Sequence, residues 1–143
     1  MYPVKGLANY IAAKCIRDKQ PIPNISLQQI LYMIQREFLR LKGEPVFSEC
    51  IVAWNFGAVV PEAYYYFCGA GAMPISICDM EKIPNIDKTD KQIIDMLLES
   101  KRGLTYWDLA AEIKRKGGAW DKIYRNGAGN EAVIPVKAIK EYG

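Results

Sequence analysis

The stretch 26-SLQQILYMIQREFLRLKGEPVFSECIVAWNFGAVVPEAYYY-66 contains most of the signals that decide the fold. Its first part predicts a helix over residues 26–42, since Ser26 suits the N-cap position and Gln29 completes a capping box. Gly43 follows as the left-handed residue with which many helices end. The helix face that packs into the core is predicted by apolar residues at helical spacing: Leu27, Ile30, Leu31, Ile34, Phe38 and Leu41.

The second part of this stretch favours a short strand and a second helix. Residues 50–54 are rich in β-favouring side chains, and we expect them to pair with a strand over residues 74–78 in a small sheet. The chain turns over residues 55–61, which include Gly57. Pro61 is tolerated at the first position of a helix, so it predicts a helix that carries Tyr64. Trp54, at the end of the first strand, is assigned to the core.

Outside this stretch, helical periodicity predicts further helices on both sides. The first covers about residues 4–18, two others start at Thr89 and Thr105 with capping residues, and the last covers residues 135–142. A short turn over residues 119–124 bears Trp120, which is assigned to the core. The predicted fold class is therefore mainly α (α+β with a small β-sheet or hairpin), as a single compact helical domain over residues 1–143.

Composition argues against catalysis and against a bound cofactor. The chain has no histidine, which excludes Ser–His and Cys–His pairs, and it has no phosphate-binding Gly-x-x-x-x-Gly-Lys loop. Its four cysteines form no Cys-x-x-Cys pair, so no metal site is predicted. The uncharged run 63–78 is shorter than the roughly twenty residues that a membrane-spanning helix needs. We expect a cytoplasmic protein that is not an enzyme, needs no cofactor and does not enter the membrane.

Aromatic residues off the apolar stripes are the clearest functional signal. The run from Tyr64 to Phe67 cannot face one core if it is helical, which turns Tyr65 and Tyr66 away from it. Trp107 also lies off the stripe of its helix. Because exposed Tyr and Trp are favoured where proteins bind each other, these three residues are the predicted partner-binding residues. The alternative, in which they pack against loops of their own domain, stays open.

The helix pair over residues 90–116 also has the outline of a DNA-reading unit, with two helices joined by a short turn that contains glycine. Basic residues near its end could contact phosphates: Lys114, Arg115, Lys116, Lys122 and Arg125. An ordinary helical hairpin with a solvated basic end explains the same pattern. The net charge of +3 is too weak to indicate a nucleic-acid partner, so nucleic-acid binding is disfavoured.

The order of several motifs resembles a known family. The central block is carried by Leu27-Gln28-Gln29-Ile30-Leu31-Tyr32, Gly43, Pro45, Phe47, Trp54, Gly57, Val59, Pro61 and Tyr64. Together with residues 7–11 and 118–120, it resembles the Panacea domain of SocA-like antitoxins and of phage-associated proteins of the GepA type. Two departures stand out. Residues 57–59 read Gly-Ala-Val where the family has Gly-Pro-Val, and residues 113–116 replace a Ser/Thr-His pair.

The resemblance implies an antitoxin-like protein of a toxin–antitoxin or prophage module. Such a protein neutralises a partner toxin, encoded beside it, by direct protein–protein binding. SocA itself also delivers its toxin to a cytoplasmic protease, so the resemblance leaves a protease open as a second partner without assigning one. The alternative function is a prophage-encoded DNA-binding regulator that uses the helix pair 90–116.

Overall fold

The structure is a computed structural model that describes all of residues 1–143, and it is mainly helical with one small sheet. The helices are α1 (Val4–Arg17), α2 (Asn24–Lys42), α3 (Pro61–Tyr66), α4 (Lys88–Lys101), α5 (Tyr106–Ile113), α6 (Ala119–Tyr124) and α7 (Val136–Tyr142). The strands are β1 (Val52–Trp54) and β2 (Gly57–Val59), and short 3-10 turns lie at Cys68–Ala70, Met80–Lys82 and Arg125–Gly127. The predicted fold class is confirmed.

The central helix α2 organises the molecule. It packs against α1, α3, α4, α5 and α7, and also against β2. Its buried residues therefore extend well beyond a single stripe and include Tyr32 and Met33. One continuous core of 32 buried hydrophobic residues surrounds it. Because α2 is covered on nearly all sides, polar residues on it are also buried, and their hydrogen bonds have to be made inside the protein.

The predicted N-cap of α2 is wrong. The helix begins at Asn24, two residues before Ser26, and Pro23 takes the N-cap position with no side-chain cap. Pro23 has φ −73° and ψ 160°, an extended conformation that proline adopts without strain, and its carbonyl accepts the N–H of Ser26 at 3.1 Å. Ser26 thus lies inside the first turn, and Gln29 is buried instead of reaching back to a cap. The predicted end is confirmed, because Gly43 has φ 72°.

The sheet is a hairpin made from neighbouring residues. β1 pairs antiparallel with β2, with Val52 opposite Val59 and Trp54 opposite Gly57. The predicted partner strand over residues 74–78 is wrong, because the two-residue turn after Trp54 lets residues 57–59 pair locally. Residues 74 and 75 instead lie along the α1–α2 connection, where the N–H of Ile75 donates to the Ile22 carbonyl at 2.9 Å.

The other helix boundaries follow the sequence with small shifts. α1 and α3 begin at the predicted Val4 and Pro61. The predicted cap at Thr89 is wrong, because α4 begins at Lys88 with Asp87 at the N-cap position and has no side-chain cap. The Thr105 cap of α5 is confirmed, since its hydroxyl accepts the Asp108 N–H at 3.2 Å. Residues 119–124 form a short helix instead of a turn. None of the helices has the length and apolar character needed to cross a membrane.

Candidate partner-binding surface

Six aromatic side chains from three parts of the chain form one continuous row. Neighbouring ring centroids are 5.4 Å apart for Tyr65–Tyr64, 5.0 Å for Tyr64–Trp54, 5.5 Å for Trp54–Phe56, 6.2 Å for Phe56–Tyr106 and 4.6 Å for Tyr106–Trp107. These distances lie in the range of favourable aromatic pairs. We call this row, residues 54, 56, 64, 65, 106 and 107, the aromatic ridge.

The two ends of the aromatic ridge are the most exposed. Trp107 is 73% exposed and Tyr65 is 62% exposed, whereas the four rings between them are half-buried. Two of the three predicted partner-binding residues therefore lie at opposite ends of the same surface feature. Their role in binding a partner stays a prediction, but the structure joins them through rings that the sequence did not single out, namely Phe56 and Tyr106.

Three short elements position the ridge. The hairpin turn places Trp54 and Phe56 close together, and α3 brings Tyr64 against Trp54. The capped first turn of α5 presents Tyr106 and Trp107. α3, α5 and β2 all pack against α2, which brings these three elements to one face of the molecule. Trp54, predicted to be a core residue, is only half-buried because it forms the middle of this face.

Trp120 fixes the hairpin beneath the ridge. Its indole N–H donates to the carbonyl oxygens of Trp54, at 2.8 Å, and of Gly57, at 3.0 Å. The predicted core position of Trp120 is confirmed, as only 6% of it is exposed. One indole thus bridges both ends of the turn that carries Phe56, and the backbone around the middle of the ridge is held from inside the protein.

Gly57 is required by close packing of the turn against α2. Its φ of 137° is a conformation that side chains other than glycine rarely adopt. A Cβ atom there would also lie 2.9 Å from the side-chain carbon Cδ of Gln29. Gln29 is fully buried, and neither its amide nitrogen nor its amide oxygen has a hydrogen-bond partner within the chain. The predicted motif residues Gln29 and Gly57 are therefore in direct contact, although not through a helix cap.

Tyr66 faces a different direction. It is half-buried, its hydroxyl accepts a hydrogen bond from the Asn9 side chain at 3.3 Å, and its ring lies 5.5 Å from the Lys5 ammonium group. The oxygen of the fully buried Asn9 side chain also accepts the Asp79 N–H at 2.7 Å. Tyr66 thus joins α3 to α1, and the structure does not bring it onto the aromatic ridge. Its predicted partner-binding role stays a prediction.

The helix pair 90–116 is tied to the rest of the domain. The hydroxyls of Tyr2 and Tyr10 each donate to a carboxylate of α4, Asp90 and Asp95, at 2.6 Å. The guanidinium of Arg102 donates to Asp18 at 2.7 Å, and this hydrogen bond lowers the pKa of Asp18. α5 contains no Lys or Arg. The structure therefore places no basic side chain on the helix that would enter a DNA groove.

Three of the five basic residues named above, all of which follow α5, have contacts within the chain. Arg115 donates to the backbone carbonyls of Tyr142 and Gly143, at 2.6 and 3.1 Å. The ammonium of Lys114 lies 5.2 Å from the Trp120 ring, and that of Lys122 lies 4.5 Å from the Tyr142 ring. Cys, Asp and Glu side chains do not come together in any group of three that could hold a metal ion.

One comparison with known proteins gives a match. The family model described as "Antitoxin SocA-like, Panacea domain" matches residues 27–121, which is most of the chain and includes all six residues of the aromatic ridge. No curated protein and no solved structure matches the chain. The matched region includes Trp120, near its end, and does not include the residues of α1 such as Asn9.

Proposed function

Because the chain belongs to the SocA-like antitoxin family with a Panacea domain, we propose that it neutralises a partner toxin by binding it directly. The family supports an antitoxin-like role, and the surface described above supplies a means of binding. The toxin is expected to be encoded beside this protein, in a toxin–antitoxin or prophage module in the cytoplasm. Binding alone would silence the toxin, so the proposal includes no enzymatic step and no cofactor.

The aromatic ridge is the observation that carries this proposal. Protein interfaces draw most of their binding energy from a few anchor residues, among which Trp and Tyr are enriched. Trp107 and Tyr65 are exposed, while the rings between them are half-buried and held in place by their neighbours. A surface that is already ordered loses little conformational entropy when it binds, which favours high affinity. We propose that Tyr65 and Trp107 are the two anchors.

No contact in the structure favours a protease as a second partner. The DNA-binding regulator has less support than the antitoxin. The first turn of α5 carries Asp108, whose charge would repel phosphate, and Arg115 is already bound to backbone carbonyls. We expect a gel-shift experiment with the protein's own promoter, at physiological salt, to show no sequence-specific complex. A complex that resists competitor DNA would favour the regulator instead.

Co-expression with the neighbouring gene tests the proposal. Wild-type protein should restore growth of cells that express the neighbour, and Tyr65→Ala or Trp107→Ala should abolish this protection. Substitutions at exposed sites usually change the free energy of unfolding by less than about 0.5 kcal/mol, so the thermal midpoint of either variant should move by no more than roughly 3 °C. Met96→Ala is the matched control, because Met96 is 75% exposed but lies outside the ridge.

Three outcomes would contradict the proposal. The neighbour could be harmless when it is expressed alone, or its toxicity could persist beside abundant folded wild-type protein. Alternatively, Met96→Ala could abolish protection as completely as Trp107→Ala, which would remove the ridge from the explanation. Tyr66→Ala is a further comparison, because the loss of its contacts with α1 should lower the thermal midpoint, unlike the two ridge substitutions.

A further inference from the structure

The charges of this protein are distributed unevenly along the chain. All 19 Lys and Arg residues lie outside two segments, residues 43–81 and 103–113. These are the segments that supply every residue of the aromatic ridge. They also carry the carboxylates Glu44, Glu49, Glu62, Asp79, Glu81, Asp108 and Glu112. Although the net charge of the chain is +3, the ridge is built from acidic parts of it.

Three of the exposed carboxylates lie beside ridge aromatics. Glu62 is three residues before Tyr65 on α3, a spacing that places both on one side of a helix. Asp108 follows Trp107 in the first turn of α5. Glu131 and Trp54 line the same surface depression, which has a volume of about 300 Å³. The ridge therefore carries a carboxylate near each end and a third near its middle.

These three carboxylates have no cation of their own. The salt bridges of the protein use other acids: Asp18, Glu37, Asp90, Glu99 and Glu112. The basic residues nearest in sequence to α5 are also engaged elsewhere, since Arg102 binds Asp18 and Lys114 lies over the Trp120 ring. The negative charge beside the ridge is therefore not neutralised within the chain.

We propose that the ridge binds a basic protein surface through arginine side chains. A guanidinium group can stack on an aromatic face while it donates two hydrogen bonds to a neighbouring carboxylate, which an ammonium group cannot do. Tyr65 and Glu62 offer this combination, because their spacing on α3 places them on one side of the helix. Asp108 adds negative charge at the Trp107 end of the ridge, where one of its carboxylate oxygens accepts the Thr105 hydroxyl at 3.0 Å. The proposal rests on the proposed function for the identity of the partner, and it adds the chemistry of the partner's surface.

Arginine-bearing surfaces are typical of proteins that act on nucleic acids. The expected partner is therefore a basic toxin whose arginines would otherwise contact phosphate groups, and the ridge would cover them. Uncompensated carboxylates would also attract such a partner from a distance, which raises the association rate in a salt-dependent way. Because the basic residues of this protein lie outside the segments that form the ridge, the attraction would orient the partner towards it.

Binding of a defined peptide tests this chemistry without the toxin. The probe is a short arginine–glycine peptide, compared with lysine–glycine and glutamate–glycine peptides of equal length, in a nitrogen-15 NMR titration of the intact protein. The indole signal of Trp107 should shift with the arginine peptide, and that of Trp120 should not, because Trp120 is buried and already donates to two carbonyls. Raising the ionic strength from about 0.01 M to about 0.15 M shortens the Debye length from roughly 30 to 8 Å and should weaken binding.

Neutral variants identify the carboxylates responsible. Glu62→Gln with Asp108→Asn should weaken binding of the arginine peptide by roughly five- to tenfold, the combined effect expected for two exposed charge pairs. Glu44→Gln with Glu81→Gln is the matched control, because it removes the same charge from exposed residues outside the ridge. The proposal is overturned if the control weakens binding equally, if the lysine or glutamate peptide binds as well, or if the Trp107 signal does not move.

Co-expression separates this proposal from the proposed function. If wild-type protein silences the neighbouring toxin but the Glu62/Asp108 variant protects fully, the antitoxin function stands and arginine recognition fails. If the neighbour is not silenced while the arginine peptide binds at Trp107 as described, the antitoxin function fails and the recognition chemistry stands.

Discussion

Three buried glutamines on α2 allow a test of whether its buried polar side chains form hydrogen bonds within the protein. Gln28 donates to the Asn24 side chain at 2.9 Å and accepts the Val60 N–H at 3.0 Å. Gln35 donates to the Phe47 carbonyl at 2.9 Å and accepts the Val46 N–H at 2.8 Å. Gln29 is equally buried, yet both polar atoms of its amide lack a partner. Substitution to methionine, which has a similar size and shape, should therefore have opposite effects along one helix.

The expected magnitudes follow from what each substitution leaves behind. Gln28→Met and Gln35→Met each leave a buried backbone N–H without an acceptor and remove a second hydrogen bond, so each should lower the free energy of unfolding by roughly 2–4 kcal/mol. Burying an amide without a hydrogen-bond partner costs about 1–3 kcal/mol in proteins, and Gln29→Met removes such an amide. This variant should raise the free energy of unfolding by about 1 kcal/mol or more.

Urea denaturation of the four proteins, with thermal unfolding as a second measure, checks these values. A change of about 1 kcal/mol in the free energy of unfolding shifts the thermal midpoint by roughly 2–4 °C for a chain slightly longer than this one. An unchanged slope of the urea transition would show that the variants differ in stability and not in the extent of unfolding. The reasoning is refuted if Gln29→Met loses stability as Gln28→Met does. That result would mean that the Gln29 amide has a hydrogen-bond partner, such as a buried water molecule.

Two further predictions concern a helix cap and an acid-sensitive ion pair. Thr105→Ala should lower the free energy of unfolding by about 1 kcal/mol because it removes the N-cap of α5. Ser26→Ala removes no cap and should lower the free energy of unfolding by less. Urea midpoints compare the two variants, and equal losses of stability would contradict the assignment of Thr105 as a cap. The Arg102 hydrogen bond lowers the pKa of Asp18, so Asp18 stabilises the fold above its ordinary pKa near 3.8 and loses this effect as the pH falls through the lowered value. Asp18→Asn should therefore lower the free energy of unfolding at pH 7 but not in strong acid, and Asp87→Asn is the control variant. A difference in stability between Asp18→Asn and the wild type that is the same at every pH would contradict this prediction.

The helical content could be predicted because apolar periodicity and helix ends are local signals. α1, α3 and the end of α2 lie where the sequence placed them, since Pro61 restricts φ to a helical value and Gly43 can adopt the left-handed conformation without strain. The start of α2 could not be predicted from the Ser26–Gln29 pattern. Pro23 and Asn24 begin the helix earlier, and Asn24 is held there by a hydrogen bond from its side chain to the Tyr64 carbonyl, forty positions further along the chain.

The pairing of β1 illustrates a competition that the sequence leaves undecided. Both residues 57–59 and residues 74–78 could have formed the second strand. A two-residue turn costs little entropy, so the local strand forms the hairpin. The other edge of β1 is covered from the C-terminal part of the chain, where the Ala53 N–H donates to the Ala132 carbonyl at 2.9 Å and the Ile134 N–H donates to the Ile51 carbonyl at 2.8 Å. No pattern near either segment indicates this contact.

The exposed ends of the aromatic ridge could be inferred from helical spacing, but its middle could not. Tyr65 and Trp107 are turned outward by the periodicity of their own helices, which is a local property. Phe56 and Tyr106 meet only because β2 and α5 pack against the same central helix, and this depends on the whole fold.

The residues that make the ridge rigid are buried beneath it. Trp120 holds both ends of the hairpin turn, and the absence of a side chain at Gly57 allows that turn to lie directly against Gln29. An aromatic row on an unsupported loop would lose entropy when a partner orders it, whereas the hairpin in the middle of this row is already held by two hydrogen bonds from Trp120. Gly57 and Trp120 occur in the same sequence pattern as Trp54 and Tyr64, the two ridge aromatics that lie nearest to this turn in the pattern. The two proposed anchors, Tyr65 and Trp107, lie outside this pattern, as do Phe56 and Tyr106. The pattern therefore describes the support of the ridge and its inner rings, and the exposed ends of the ridge are additional to it.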